Sequence, residues 1–453
     1  MALELNKEFF ENLRNSIENK DSELAVSLLK EMHPADIAEF FEEINIDDAK
    51  FLFILLEPEI AADVIVEIED EERGKLLESL PNEIIAEQLI EKMDSDDAAD
   101  ILGYLDDERS EEILGHIKDL EQAGDIVDLL NYDEDSAGGL MAKELVAINE
   151  NLTVKQALGE MRDQAEDIDE IYYLYVVDDN NILKGTIALK DLLFSSTNKK
   201  ILSIFDPDVI SVKTDVDGEE VAQIMEKYDL VAIPVIDGIG RLVGRITIDD
   251  VVDVIREEAE EDYQLMSGIT EDVDFSDSVF RQSRSRIPWL LIGMVGGIAG
   301  SLILGLFESD IEKYAVLALF LPLIVATGGN AGVQSSAIVV QGLSSGDIDL
   351  HSMWKKLWKE FKVGLLNGFV CSIIIFLYNL IFSSNFALTL TVSLSLFAVI
   401  IFATVFGTFV PLVLNRFKID PAIATGPFIT TSNDIIGIFI YLIIARSIFG
   451  IIL

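Results

Sequence analysis

Apolar residues follow three different rhythms along this chain. In residues 1–130 they recur at helical spacing, as where Phe51-Leu52 is followed by Leu55-Leu56. Ala38-Glu39, Ala62-Asp63 and Ala86-Glu87 are spaced 24 apart, and Pro34, Pro58 and Pro81 each lie four or five residues earlier. A proline opens a helix there at little cost, because the first N–H groups of a helix have no intrahelical acceptor to lose. A period near 24 holds two short helices, so residues 1–131 are expected to form a small superhelical all-α domain.

The second rhythm is β-branched and duplicated. Tyr172-Tyr173-Leu174-Tyr175-Val176-Val177-Asp178-Asp179 precedes Gly185-Thr186-Ile187-Ala188-Leu189-Lys190-Asp191-Leu192, and Val231-Ala232-Ile233-Pro234-Val235-Ile236-Asp237 precedes Gly244-Arg245-Ile246-Thr247-Ile248-Asp249-Asp250-Val251. Gly185 to Gly244 and Asp191 to Asp250 are both 59 positions. Each unit reads helix, strand, turn, strand, helix. Residues 138–256 therefore resemble a tandem pair of CBS domains, an α/β module that commonly senses ligands. A charged link follows over 257–284, with Glu257, Glu258, Glu260, Glu261 and Asp262 set for helical continuation.

The third rhythm is continuous hydrophobicity. Residues 287–453 hold five candidate spans, at about 287–307, 314–341, 363–382, 387–414 and 422–450. Each is near or above the roughly 20 residues a helix needs to cross a bilayer. The fold class expected is multidomain: an all-α N domain, an α/β CBS pair, a connecting helix and a five-helix membrane domain.

Charge sharpens this division. The net charge is −48, yet residues 287–453 carry eight acidic and eight basic residues, leaving 73 acidic and 25 basic groups for residues 1–286. Nucleic acid is excluded as a partner of so acidic a half, and cations are favoured. Cys371 is the single cysteine, so no intrachain disulfide forms, and the N-terminus lacks a signal-peptide pattern. The acidic half is expected to stay in the cytoplasm. His33, His116 and His351 lack zinc-ligand spacing, and His33 before Pro34 marks a helix start. Arg281, Arg284 and Arg286, then Lys355, Lys356, Lys359 and Lys362, then Arg416 and Lys418 fall in alternate inter-span positions. The excess of basic residues on one side orients the chain with its N-terminus inside and its C-terminus outside.

Asp434 lies within the last span, behind Thr430-Thr431-Ser432-Asn433. A carboxylate at membrane depth costs roughly 2.5–3.5 kcal/mol even on the lenient insertion scale, so it usually faces a bundle interior or a water-filled path. The competing reading is a helix-packing carboxylate bonded to a nearby hydroxyl. Span two carries Thr327-Gly328-Gly329-Asn330-Ala331-Gly332-Val333-Gln334 after Pro322. Small residues let helices approach closely, and Asn330 and Gln334, with Thr431 and Asn433, are candidate pore-lining groups. One carboxylate among hydroxyls and carbonyls is a hard-oxygen environment. It suits hydrated Mg²⁺ better than a dehydrated Ca²⁺ cage, while Mn²⁺, Co²⁺ and a proton stay open. Arg446, about three turns on, is either a counter-ion or an interfacial residue. In the acidic half, Asp96 and Asp100 share one helix face, where a divalent cation would relieve their repulsion; taken alone, the pair reads first as a solvated acidic face.

The domain order, together with Gly328-Gly329-Asn330-Ala331-Gly332-Val333-Gln334 and Pro427-Phe428-Ile429-Thr430-Thr431-Ser432-Asn433-Asp434, resembles the MgtE family of magnesium channels over essentially the whole chain. The resemblance implies a homodimer in the cell membrane with a cation pore between its membrane halves. It also implies hydrated Mg²⁺ at Asp434, and closure by cytosolic Mg²⁺ at acidic sites of the N domain, the CBS pair and the connecting (plug) helix. By motif position those sites draw on Asp96, Asp100, Asp217, Glu219, Asp229, Asp250, Asp253, Glu258, Glu261 and Asp262. Some CBS pairs of the family bind ATP, at positions matching Tyr173 and Asp191. Two other classes compete: a proton-coupled divalent-cation transporter in which Asp434 titrates, and a membrane-anchored nucleotide sensor, to which a buried Asp434 would contribute nothing. No Walker loop, Ser/His/Asp arrangement or zinc motif suggests an enzyme.

Overall fold

Prolines and short polar side chains set the helix starts in the first part of the chain. The computed structural model describes residues 7–165, 168, 171–270, 273, 278–344, 353–383, 385–424 and 426–452. It divides into two compact units, Met1–Ile255 and Arg256–Leu453.

The first unit begins with α1 (Lys7–Glu18), α2 (Ser22–Leu29), α3 (Pro34–Glu42), α4 (Ile46–Phe53), α5 (Pro58–Glu67), α6 (Asp70–Ser79) and the single turn α7 (Asn82–Ile84). Then come α8 (Ser95–Tyr104), α9 (Asp107–Leu114) and α10 (Leu120–Leu129). His33 caps α3 as its sequence context suggests, its Nδ1 accepting the Ala35 N–H at 3.3 Å. Asn45 and Asp119 cap α4 and α10 in the same way, satisfying N–H groups that the helix leaves unpaired. The repeat is real in space: Ala38, Ala62 and Ala86 are all buried in one core. Its third copy is irregular. After α7 the chain makes a π turn (Ile85–Leu89) and a 3₁₀ turn (Ile90–Lys92), and Pro81 precedes the helix where Pro34 and Pro58 open theirs.

Two small sheets follow. β1 (Val146–Asn149) leads through α11 (Val154–Gln164) to β2 (Tyr173–Val177), β3 (Leu183–Ala188) and α12 (Leu189–Phe194). β4 (Val212–Lys213), α13 (Gly218–Lys227), β5 (Ala232–Ile236), β6 (Leu242–Thr247) and α14 (Ile248–Ser267) repeat that order. In each sheet the first pair is parallel and the second antiparallel. Even the bulges correspond, at Val176/Val177 and Val235/Ile236, again 59 apart. The units clasp through a reciprocal pair of bonds, Leu183 N–H to Gly240 O at 3.1 Å and Leu242 N–H to Asn181 O at 3.0 Å. Asn181 (φ 61°) and Gly240 (φ 89°) are equivalent positions and both take the left-handed turn, which asparagine and glycine tolerate best.

The second unit contains five helices long and apolar enough to cross a membrane. They are α15 (Val279–Leu306), α17 (Leu321–Ser344) with a 3₁₀ lead-in (Ala315–Phe320), α18 (Met353–Phe382), α19 (Phe386–Arg416) and α20 (Gly426–Ile452). The short α16 (Glu308–Lys313) lies between the first two. All five expected spans are present. The first begins earlier than hydropathy indicates, because Ser278 caps α15 and Pro288 sits within it without ending it. The segment expected as a connecting helix, 257–284, divides between the end of α14 and the start of α15; its residues 271, 272 and 274–277 lie outside the described ones. α19 is the central helix, packed against α17, α18 and α20. Half of its most apolar window is buried, against 11% for α18. Thr389, Ser393, Thr404 and Thr408 of α19 return their hydroxyls to carbonyls four residues back, which keeps them compatible with an apolar surrounding.

Candidate ion-binding sites

In the second unit, small residues bring three helices onto one carboxylate. The first turn of α20 is closed by Thr430, whose hydroxyl donates to the Gly426 carbonyl at 2.9 Å. Asn433 is 1% exposed, and neither polar atom of its amide has a hydrogen-bond partner among the described residues. Asp434 is half-buried, and its sequestered Oδ1 also lacks one. Facing them is the glycine run of α17. A Cβ on Gly329 would stand 3.5 Å from Asp434 Oδ1 and 3.4 Å from Thr430 Cγ2. A Cβ on Gly332 would collide with the Asn433 amide, and one on Gly407 of α19 with the Gly332 carbonyl. From the other side, Gly296 of α15 leaves room for the Thr431 methyl. The bundle thus closes on Asn433 and Asp434 with backbone rather than side chains. Buried polar groups without partners cost several kcal/mol each in an apolar medium, and water or a hydrated cation would supply what these lack.

Asn330 and Gln334 do not join that pair. They are exposed one turn apart on α17, beside the buried Gly328, Gly329 and Gly332. Arg446 is not a counter-ion to Asp434: its Nη2 and Nε lie 2.7 and 2.8 Å from Asp310 Oδ2, and its guanidinium covers the Phe307 ring at 4.5 Å.

In the first unit, carboxylates converge from distant parts of the sequence. Asp94, Asp96 and Glu144 each present an oxygen within 4.8 Å of the others. Glu144 is fixed against the start of α8 by Ser95, whose N–H (3.2 Å) and hydroxyl (2.8 Å) both donate to its Oε2. The Lys143 N–H donates to the same hydroxyl at 2.9 Å. Asp250, at the start of α14, accepts the Thr247 N–H and hydroxyl, each at 2.8 Å. Arg245 Nη2 approaches Asp94 Oδ2 at 3.7 Å.

Burial is the main cause that raises the Asp96 carboxyl well above its ordinary range, with repulsion from Asp97, Asp250 and Asp94 adding to it. Asp97 is pushed up to about 7 by burial first and then by Asp250 and Asp100. Asp250 is also raised by burial, against the restraining bonds from Thr247. A set of hard oxygen donors whose charges resist being left unscreened matches a divalent cation such as Mg²⁺ or Ca²⁺. Binding would release protons from the raised groups.

Comparison with known proteins follows the same divisions. The divalent cation transporter family MgtE matches residues 321–444, the MgtE intracellular N domain residues 32–135, and the CBS domain residues 137–197 and 201–257. The magnesium transporter MgtE of Thermus thermophilus is 34% identical over 444 residues, 96% of this chain and 97% of that one. That of Bacillus subtilis is 35% identical over 422 residues, 93% of each.

The chain belongs to the MgtE family of magnesium transporters.

Two solved structures agree with that membership. The soluble part of a magnesium transporter matches with a TM-score of 0.51 and 34% identity, over 56% of this chain and 99% of its own. The cytosolic domain of the Mg²⁺ channel MgtE in complex with ATP matches with a TM-score of 0.51 and 35% identity, over 54% and 98%. MgtE relatives are named as transporters, and the family is not enzymatic.

Against this frame the residues singled out from the sequence separate. Asp96 and Asp250 come together; Asp100 lies one turn along α8 and is exposed. Asp217 caps α13, accepting the Glu219 N–H at 3.0 Å, and Asp229 stands beyond the other end of that helix with φ 52°. Asp253, Glu258, Glu261 and Asp262 are distributed along α14, and Asp262 accepts the Ser344 hydroxyl at 2.8 Å. Tyr173 borders a pocket with Glu144, Tyr172, Tyr175 and Arg245, whose space of ≈ 10 Å³ is about that of one water. Asp191 is exposed on α12 and does not border it. Sequence reading missed Asp94, Asp97 and Glu144. The acidic run Asp94–Asp100 was a signal for the first two; nothing local marks Glu144.

Proposed function

We propose that this protein is a Mg²⁺-selective channel of the cell membrane, taking up Mg²⁺ through a pore at the interface of a homodimer and closed by Mg²⁺ on its cytosolic side. The observation that carries this is the Asn433–Asp434 pair: a carboxylate and an amide at membrane depth, without protein partners among the described residues and walled by glycine backbone. Hydrated Mg²⁺ fits such a site. Its shell of waters would donate to the Asp434 carboxylate, so the ion need not be stripped, which it resists. One carboxylate per chain holds it weakly enough to leave, as conduction requires. Asn330 and Gln334 are exposed on a membrane helix, where lipid is a poor neighbour for amides; a second chain placing the same face opposite would give them an aqueous path.

The gate follows from the first unit. Without a cation, Asp94, Asp96, Asp97, Glu144 and Asp250 repel one another, and like charges 4 Å apart disfavour each other by about 1 kcal/mol even in water. Mg²⁺ bound among them stabilises the compact arrangement by its differential affinity for that state. Asp100, Asp217, Glu219, Asp229, Asp253, Glu258, Glu261 and Asp262 would supply further sites. ATP at the pocket beside Tyr173, as in the ATP-bound relative, requires its walls to part. The acidic half lies in the cytoplasm and the C-terminus outside, following the basic clusters.

Patch recording from reconstituted protein tests the reading. Unitary Mg²⁺ currents that vanish as Mg²⁺ is raised on the cytosolic face are expected. Obligatory counter-movement of protons would instead favour a coupled transporter.

A further inference from the structure

The first three turns of α18 carry a surface that the ion path does not use. Residues 353–362 read Met-Trp-Lys-Lys-Leu-Trp-Lys-Glu-Phe-Lys, with four lysines and one acid. At 100° per residue, Lys355, Lys359 and Lys362 fall on one face and Trp354, Trp358 and Phe361 on the face beside it. The opposite side carries Leu357, Gly364 and Gly368, which are buried, the two glycines against Ile401, Thr404 and Phe397 of α19. Both stripes therefore point away from the bundle. Trp354 is 82% and Trp358 60% exposed, and Lys355, Lys359 and Lys362 are exposed as well. None of these three lysines has an ion pair among the described residues, although acidic residues outnumber basic ones 81 to 33 in the chain. Lys362 instead stands over the Trp358 ring at 5.9 Å.

Two features fix what this surface fits. The apolar run of α18 begins at Val363, so Trp358 lies about 7 Å along the axis before it. That is headgroup depth, where tryptophan is favoured for its apolar body and polar N–H. Beside it stand three ammonium groups with no ion pair among the described residues. Phosphate oxygens bearing net charge complement that set; zwitterionic headgroups bring their own cation and do so poorly.

We propose that the start of α18 is a binding site for anionic phospholipid headgroups, with Lys355, Lys359 and Lys362 contacting phosphate and Trp354 and Trp358 seated at the glycerol level. The site is distinct from the ion path, and its occupancy selects the lipid shell around the most exposed of the five membrane helices.

The two exposed tryptophans report on it. The full chain is reconstituted in bilayers doped with brominated phosphatidylglycerol or brominated phosphatidylcholine, and tryptophan quenching is compared; buried Trp289, the third and last tryptophan, gives a constant background. Quenching should show at least a roughly fivefold preference for the phosphatidylglycerol at low salt, since a single lysine near an anionic surface is worth about fivefold and three are present. The preference should fall to about one in half-molar salt and in K355Q/K359Q/K362Q, whose thermal unfolding should match the parent. Equal quenching by the two lipids overturns the proposal, as does a preference that survives the triple substitution. Quenching by neither lipid also overturns it, since a second copy of the chain would then cover this face.

Discussion

The two acidic sites of this protein use the same functional group in opposite ways. In the first unit five carboxylates crowd together, and their protonation is distorted by burial and by one another. In the second, one carboxylate stands with an amide and glycine backbone. Crowding makes occupancy depend steeply on the cation and makes any one member partly replaceable. Solitude makes binding weak and the residue irreplaceable. A sensor needs the first property and a conduction site the second.

The comparison can be broken most directly at Asp434. Asp434→Ala should reduce Mg²⁺ uptake into liposomes to the level of empty vesicles, whereas Asp96→Ala combined with Asp250→Ala should leave uptake intact and weaken its shut-off by internal Mg²⁺. Uptake at the parental rate by the Asp434 variant would remove the pore assignment.

Next in size is the backbone wall. Gly407→Ala drives a methyl group into the Gly332 carbonyl, which cannot rotate away, while nothing lies within 4 Å of a Cβ at Gly297. Overpacking of this kind costs about 1–3 kcal/mol. Gly407→Ala should lower the melting temperature of the solubilised protein by several degrees, and Gly297→Ala should leave it unchanged.

The crowded site makes a prediction in pH. A carboxyl raised in the folded state, like Asp97 at about 7 against an ordinary 3.8, keeps its proton in the folded chain after losing it in the unfolded one. Stability then falls as pH rises through that interval and levels off above it, by a few kcal/mol at most for this group. With a chelator present, unfolding of the soluble half should show that decline between pH 4 and 7. Asp97→Asn should flatten it, and added Mg²⁺ should oppose it. A soluble half that gained stability over the same interval would count against the crowding.

The smallest effect belongs to the pair Arg446–Asp310, which is substantially exposed. Exposed pairs contribute about 0–1 kcal/mol. Arg446→Gln should leave both melting and uptake near parental values; a large loss of uptake would return Arg446 to the ion path.

What the sequence made legible was whatever has a period or a local exception. The 24-residue repeat, the 59-residue duplication and the five apolar runs each have a rhythm, and Asp434 is conspicuous because its surroundings are apolar. The irregular third repeat at Ile85–Lys92 and the early start of α15 broke a rhythm without announcing it. Glu144 was hidden for a different reason. Its place beside Asp94 depends on Ser95, almost fifty residues earlier in the chain, and no spacing rule links the two. Gly407 was likewise unremarkable in an apolar run; only its closeness to Gly332 gives it meaning.

The engagement of Arg446 with Asp310 has one more consequence. No lysine or arginine occurs between Lys362 and Arg416, nor between Lys313 and Lys355, and Arg446 is held by Asp310. A chloride ion at the level of Asp434 would therefore meet fixed negative charge and no described fixed positive charge to balance it. If ions pass Asp434 as proposed, discrimination against anions would be set by what these helices omit, before any chemistry that tells one metal from another.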